Sequence, residues 1–195
     1  MMKIRRLFSS SCAKGTENYL NTQKKYEILR TILYFAISAT LFIAGYLQTK
    51  TKVNLLTVVA VLGCLPASKS TVSAIMFLRF QSCSSTNAEE IKKHSGSLKG
   101  LFDCVFTSYK KNYCVSHLSV RANTICGFTE NEKFEENEFY KHIQDILKLD
   151  GHKDVTVKIF HSLSKYTERL EQMNELEEDE TKTQAIIETL KSVML

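Results

Sequence analysis

The chain has 195 residues, 44% of them hydrophobic, and 26 Lys and Arg against 21 Asp and Glu give it a net charge of +5. The positive balance is concentrated at one end: residues 1–30 hold seven basic and two acidic groups, whereas residues 79–195 hold sixteen basic and nineteen acidic groups. Binding to nucleic acid calls for a basic patch on a basic domain, so the mildly acidic C-terminal part sets nucleic acid aside as a partner.

Residues 1–27 form a basic N-terminal segment. Met1 to Lys14 is Ser-rich and free of acid, a composition shared by mitochondrial transit peptides and by arms that lie beside a membrane. We read it as an arm that fixes topology and attracts anionic lipid. The first apolar run begins too late and is too long for the core of a cleavable signal peptide. Thr16 as a cap and Glu17 in the first turn predict a helix running unbroken from about Glu17 to Leu47.

Residues 28–78 read as a transmembrane hairpin with spans at about 28–48 and 53–75. Ile28 to Gln48 carries one charge, Arg30, and at about 1.5 Å per residue reaches roughly 30 Å, the thickness of the hydrocarbon core. A stretch this long and uncharged is more often a span than a buried core helix. Tyr34 and Tyr46 fall near opposite headgroup regions. In the second span, Pro66–Thr71 interrupts the apolar pattern and predicts a kink at Pro66. Lys69, about 24 Å from the start of that span, snorkels to the far interface or lines a path through the membrane. Arg30, Tyr34, Tyr46, Lys50, Lys52, Lys69 and Arg79 are the expected interface residues. The bilayer is thus the first predicted partner. More Lys and Arg flank the hairpin's ends than its loop, which predicts both termini on the cytoplasmic side of a cell (inner) membrane. Ala36, Ser38, Ala39, Ala44 and Gly45 are small enough to let spans pack closely, which points to a homo-oligomer.

Residues 79–100 read as a linker and a short helix, Ala88 to about His94, capped by Asn87. Residues 101–195 read as a cytoplasmic α+β domain. Strands are predicted at Leu101–Tyr109, Tyr113–Val120 and Thr124–Thr129, then a helix from about Glu132 to Asp150 with Phe139, Ile143, Ile146 and Leu147 on one face. A fourth strand alternates through Val155, Val157 and Ile159, and two helices follow. The second opens at a capping box, Thr181 to Gln184. The expected order is β-β-β-α-β-α(-α), an antiparallel sheet with helices on one face.

No motif for chemistry stands out. Of the six cysteines, Cys12, Cys64, Cys83, Cys104, Cys114 and Cys126, none falls in the predicted outside loop, so they read as reduced, small apolar residues. Their spacing lacks the paired close ligands of a structural zinc site, and neither metal nor cofactor is expected. Asp103, Asp154 and Lys158 on or beside strands are the residue types with which a metal-dependent nuclease holds a cation and polarises a phosphate, and Cys114 or Cys126 with His117 as its base is a candidate nucleophile. The acidic-x-Lys pair is missing, because Thr156-Val157 precedes Lys158. Three functions follow: a non-catalytic binding, regulatory or assembly module for an unknown protein or small molecule; a membrane-tethered hydrolase or nuclease-like enzyme; and a pore or effector in which the hairpin itself acts.

Overall fold

The computed structural model describes residues 14–51, 54–152, 154–177 and 179–195. Lys52, the expected span start at Val53, Cys12 and the basic residues Lys3, Arg5 and Arg6 lie outside these residues. The chain divides into two compact units, Leu20–Phe80 and Gln81–Leu195 with residues 14–19.

The first unit is a helical hairpin. Helix α1 (Tyr19–Thr49, 31 residues) and helix α2 (Leu55–Leu78, 24 residues) are both long and apolar enough to cross a membrane. Their large side chains point outward. Ile32, Ile37, Ile43 and Leu47 on α1 and Leu55, Val61, Leu65 and Val72 on α2 are all at least half exposed. Only 11% and 17% of the two most apolar windows are buried, the reverse of a water-soluble helix pair, which turns its apolar stripe inward.

Small residues line the seam between the helices. Ala60, Ala67, Ser70, Ala74 and Phe77 are the buried positions of α2, and with the half-buried Leu56 and Gly63 they recur at alternating spacings of four and three, the pattern that keeps one face against a partner helix. On α1, Thr31, Ser38 and Gly45 follow the same period, and Thr31 and Ser70 hydroxyls lie 2.9 Å apart across the seam. Ser38 and Gly45 thus bring helices together within the hairpin, while Ala36, Ala39 and Ala44 face outward.

Helix α2 runs through Pro66 without interruption. A proline costs one helical hydrogen bond, here the one that the Leu62 carbonyl would accept. Ser68 and Thr71 hydroxyls donate to the Leu65 and Ala67 carbonyls nearby. The turn is closed by Asn54, whose side-chain oxygen accepts from the Thr57 N–H at 2.8 Å and whose amide donates to Thr49 Oγ1 at 2.8 Å.

The second unit is a four-stranded mixed sheet between two helical layers. Helix α3 (Ser85–Ser95) precedes β1 (Lys99–Thr107), β2 (Asn112–Arg121) and β3 (Thr124–Phe128). Helix α4 (Glu136–Leu149) leads to β4 (Thr156–Phe160), followed by α5 (Leu163–Asn174) and α6 (Glu180–Val193). The sheet order is β1-β2-β3-β4; β1, β2 and β3 pair antiparallel and β4 pairs parallel to β3. This corrects the all-antiparallel expectation. The β3–α4–β4 segment is a helical crossover, and a crossover returns the chain in its original direction.

Helices also cover both faces rather than one. Phe139, Ile143 and Leu147 of α4 and Ile186, Ile187 and Leu190 of α6 share a core with Leu101, Phe106, Leu118, Ile125, Val157 and Ile159. On the other face, Ile91 of α3 and Tyr166, Leu170 and Met173 of α5 pack on Cys126 and Phe128. Three helix starts differ from expectation, two of them because nearer caps win. Ser84 rather than Asn87 caps α3, and Asp179 rather than Thr181 caps α6. A turn in which Asn131 accepts from the Lys133 N–H delays α4 to Glu136.

Strand alternation slips in both β1 and β2, where Val115 and Leu118 share the α4/α6 core. Leu101 faces the α4/α6 core, yet so do Cys104 and Phe106, an even–odd mismatch that Asp103 absorbs with a left-handed φ of 54°. Aspartate is among the few side chains that tolerate this region.

Candidate functional site

The polar groups that gather in an open space do so along β4. Its sequence Thr156-Val-Lys-Ile-Phe160 alternates, so Val157 and Ile159 enter the α4/α6 core while Thr156, Lys158 and Phe160 face α5. Helix α5 buries Tyr166, Leu170 and Met173. Its Lys165, Arg169 and Gln172, spaced four and three apart, therefore fall on the side turned toward β4. Together these residues line a cavity of about 500 Å³ with Cys126 at its floor. That volume is within the range of small-ligand pockets. Lys158 Nζ sits 5.1 Å from the centre of the Phe160 ring, and Arg169 Nη1 donates to Gln172 Oε1 at 2.9 Å. Three cations, Lys158, Lys165 and Arg169, face one carboxylate, Glu168. A net positive groove is thus set into a domain of net negative charge. Burial pushes the Cys126 thiol up, only partly opposed by Arg169, so it is a protonated thiol and a poor nucleophile at neutral pH.

Of Asp103, His117, Asp154 and Lys158, the last alone lines this groove. Asp103 is 1% exposed, and its Oδ1 accepts from the Cys83 N–H at 2.8 Å. His117 is 2% exposed, with Nδ1 2.7 Å from the Tyr166 hydroxyl and its ring 4.3 Å from that of Phe102. Burial holds its pKa down at about 3, so the ring is neutral. Gly100 makes room for it: a Cβ there would collide with His117 Nε2. Asp154 is exposed in the turn before β4 with a φ of 61°. Asp103 and His117 lie on the β1–β2 half of the sheet and Lys158 at its far edge, so the four do not share one pocket. Among the described residues no three His, Cys, Asp or Glu side chains come together as metal ligands.

A carboxylate that sequence reasoning missed, Glu130, joins Asp103 in holding the start of α3. Its Oε1 accepts from Asn87 Nδ2 at 2.7 Å and from the Ser84 N–H at 3.1 Å. Burial, then Glu130 and Asp103, push the Cys83 thiol beside them up to about 12. Nothing in the local sequence marks Glu130, because its partners are more than forty residues earlier.

In the hairpin, Arg30 pairs with Glu27 at 2.9 Å. Tyr34 is half-buried; Tyr46, Lys50, Lys69 and Arg79 are exposed. Lys69 points away from the seam rather than into it.

Neither a protein-family model, nor a curated protein, nor a solved structure matches the chain.

Proposed function

We propose that the chain is a membrane-anchored binding protein. The hairpin holds it in a cell (inner) membrane with both termini cytoplasmic, and the C-terminal domain takes an anionic ligand in the β4–α5 groove without performing chemistry on it. The observation that carries the reading is the gathering of Lys158, Lys165 and Arg169 around one open cavity. Charge-assisted contacts from several such groups are the usual means of holding phosphate or carboxylate. Against catalysis stand the dispersal of Asp103, His117, Asp154 and Lys158 and the protonated state of the Cys126 thiol. Against a path through the hairpin stands the outward direction of Lys69. Assembly of several copies through the outward faces of α1 and α2 is compatible with this role and is not needed for it.

The test is calorimetric titration of the full chain, in nanodiscs of neutral phosphatidylcholine, with inorganic pyrophosphate. The wild type is expected to bind, and the Lys165→Glu/Arg169→Glu double variant to bind at least about tenfold more weakly, since each reversed charge converts attraction to repulsion. Lys165 is exposed and Arg169 half-buried on α5, and neither belongs to the packed core, so the fold is expected to persist. No binding, or equal binding by the variant, overturns the reading. Release of orthophosphate from the probe would return the hydrolase alternative.

A further inference from the structure

The groove borders an unfilled strand position. The two edges of the sheet are treated differently by the chain. On β1, Phe102 N–H donates to the Gly15 carbonyl, Leu195 N–H donates to the Val105 carbonyl, and Met194 bridges Phe106. The segments at both ends of the domain thereby cover that edge. On β4 no segment does so among the described residues.

The direction of the β4 backbone groups follows from its pairing with β3. Thr156 N–H donates to the Asn123 carbonyl at 2.8 Å, and the Phe160 carbonyl accepts from Thr129 N–H at 3.0 Å. In a parallel ladder every second residue turns both its groups to one neighbour. Thr156, Lys158 and Phe160 therefore face β3, and the N–H and C=O groups of Val157 and Ile159 face outward. Each flank of this edge carries a recess. The α5 side has the cavity of about 500 Å³ described above. The α4 side has one of about 120 Å³, with Glu136, Asn137 and Tyr140 in its wall. Lys158 lines both. Outward backbone groups between two side-chain recesses are what an added strand requires: main-chain hydrogen bonds for affinity and alternating pockets for selectivity.

Charge selects the occupant. Side chains of an added strand that turn toward α5 meet Lys158, Lys165 and Arg169, while those that turn toward α4 meet a recess with one carboxylate and no cation other than Lys158. A second copy is disfavoured, because antiparallel β4–β4 pairing about the strand's centre sets Lys158 against Lys158, and like charges directly opposite destabilise a pair. We propose that the β4 edge accepts an extended segment of a partner protein as a fifth strand, with acidic side chains at alternate positions directed to the α5 side. This rests on the reading of the groove as an anion site and names its ligand class.

The test uses the full chain in neutral nanodiscs and a fluorescent decapeptide alternating Thr and Glu, read by anisotropy. Two further peptides carry backbone N-methyl groups on one or the other alternate set of amides, and a fourth has Lys in place of Glu. The Thr–Glu peptide is expected to bind, and the Lys peptide is not. One N-methyl set, which removes the amides pairing with Val157 and Ile159, is expected to weaken binding about tenfold or more, and the other set to leave it unchanged. Equal binding of both N-methyl peptides overturns strand addition, because charge alone then explains capture. Failure of every peptide while pyrophosphate still binds also overturns it and leaves the anion site standing. Failure of both probes removes the anion site as well.

Discussion

Acidification from pH 7 to pH 4 is expected to remove about 3 kcal/mol of stability from the C-terminal domain through His117 alone. The ring is 2% exposed, and burial holds it neutral down to about pH 3. In the unfolded chain an imidazole takes up its proton near pH 6.5. Between those values the unfolded state binds the extra proton and the folded state does not, so stability falls as pH falls. The contribution is fully present above about pH 6.5 and is lost progressively toward pH 3. At pH 4 the gap is about 2.5 pH units, each worth about 1.4 kcal/mol. Exposed carboxylates such as Glu90, Glu135 and Asp179, held below their ordinary values by Lys93, Lys111 and Lys182, also favour the folded state less in acid. They are common to both proteins in a comparison with His117→Gln, which keeps a polar partner for the Tyr166 hydroxyl. Urea unfolding followed by circular dichroism at pH 7, 5.5 and 4 is expected to give a shallower pH dependence for the variant. Parallel dependences would mean that His117 is protonated in the fold.

Replacing Gly63 by Leu is expected to open the hairpin. A Cβ at this position would lie 2.6 Å from Ser38 Oγ, closer than real contacts permit, and leucine adds three more carbons at a seam built from Ala60, Ala67, Ser70 and Ala74. Overpacking of this kind costs about 1–3 kcal/mol or more when the backbone must move. Without a hydrophobic drive between helices in lipid, close packing is most of what holds them together. The readout is disulfide formation between Thr31→Cys and Ser70→Cys, whose wild-type hydroxyls are 2.9 Å apart, in a chain with the native cysteines replaced. Gly63→Leu is expected to slow cross-linking by about tenfold, in line with a penalty of that size. Val61→Leu, on the outward face, should leave it unchanged. Unaltered cross-linking in Gly63→Leu would mean that the seam is not at Gly63.

The hairpin was the most legible part of the chain, because length and apolarity alone mark helices that can span a bilayer. The Ala60–Ala67–Ala74 and Gly63–Ser70–Phe77 rows carry the seam in the sequence too, but weakly, since Ala and Ser do not contrast with the surrounding Val and Leu as charges do. Element order in the C-terminal domain follows from periodicity, and the β3–α4–β4 crossover already implied a parallel pair. What periodicity does not hold is the layer each helix joins. The stripe Tyr166, Leu170, Met173 shows that α5 is amphipathic, not which sheet face receives it. Lys165 and Arg169 therefore read as a solvated face until the topology sets them opposite Lys158. Asp103 and His117 stand apart from Lys158 for a different reason. The slip at Asp103 changes which residues of β1 turn toward α3 and α5, and a single left-handed residue leaves no trace in an alternating pattern.

The β4–α5 groove as the working surface is tested most directly by hydrogen–deuterium exchange of the full chain in neutral nanodiscs, with and without saturating pyrophosphate. The expected result is slowed exchange in Thr156–Phe160 and Leu163–Asn174, with α2 unchanged. Unaltered exchange in both segments, or protection at the β1 edge instead, would contradict it.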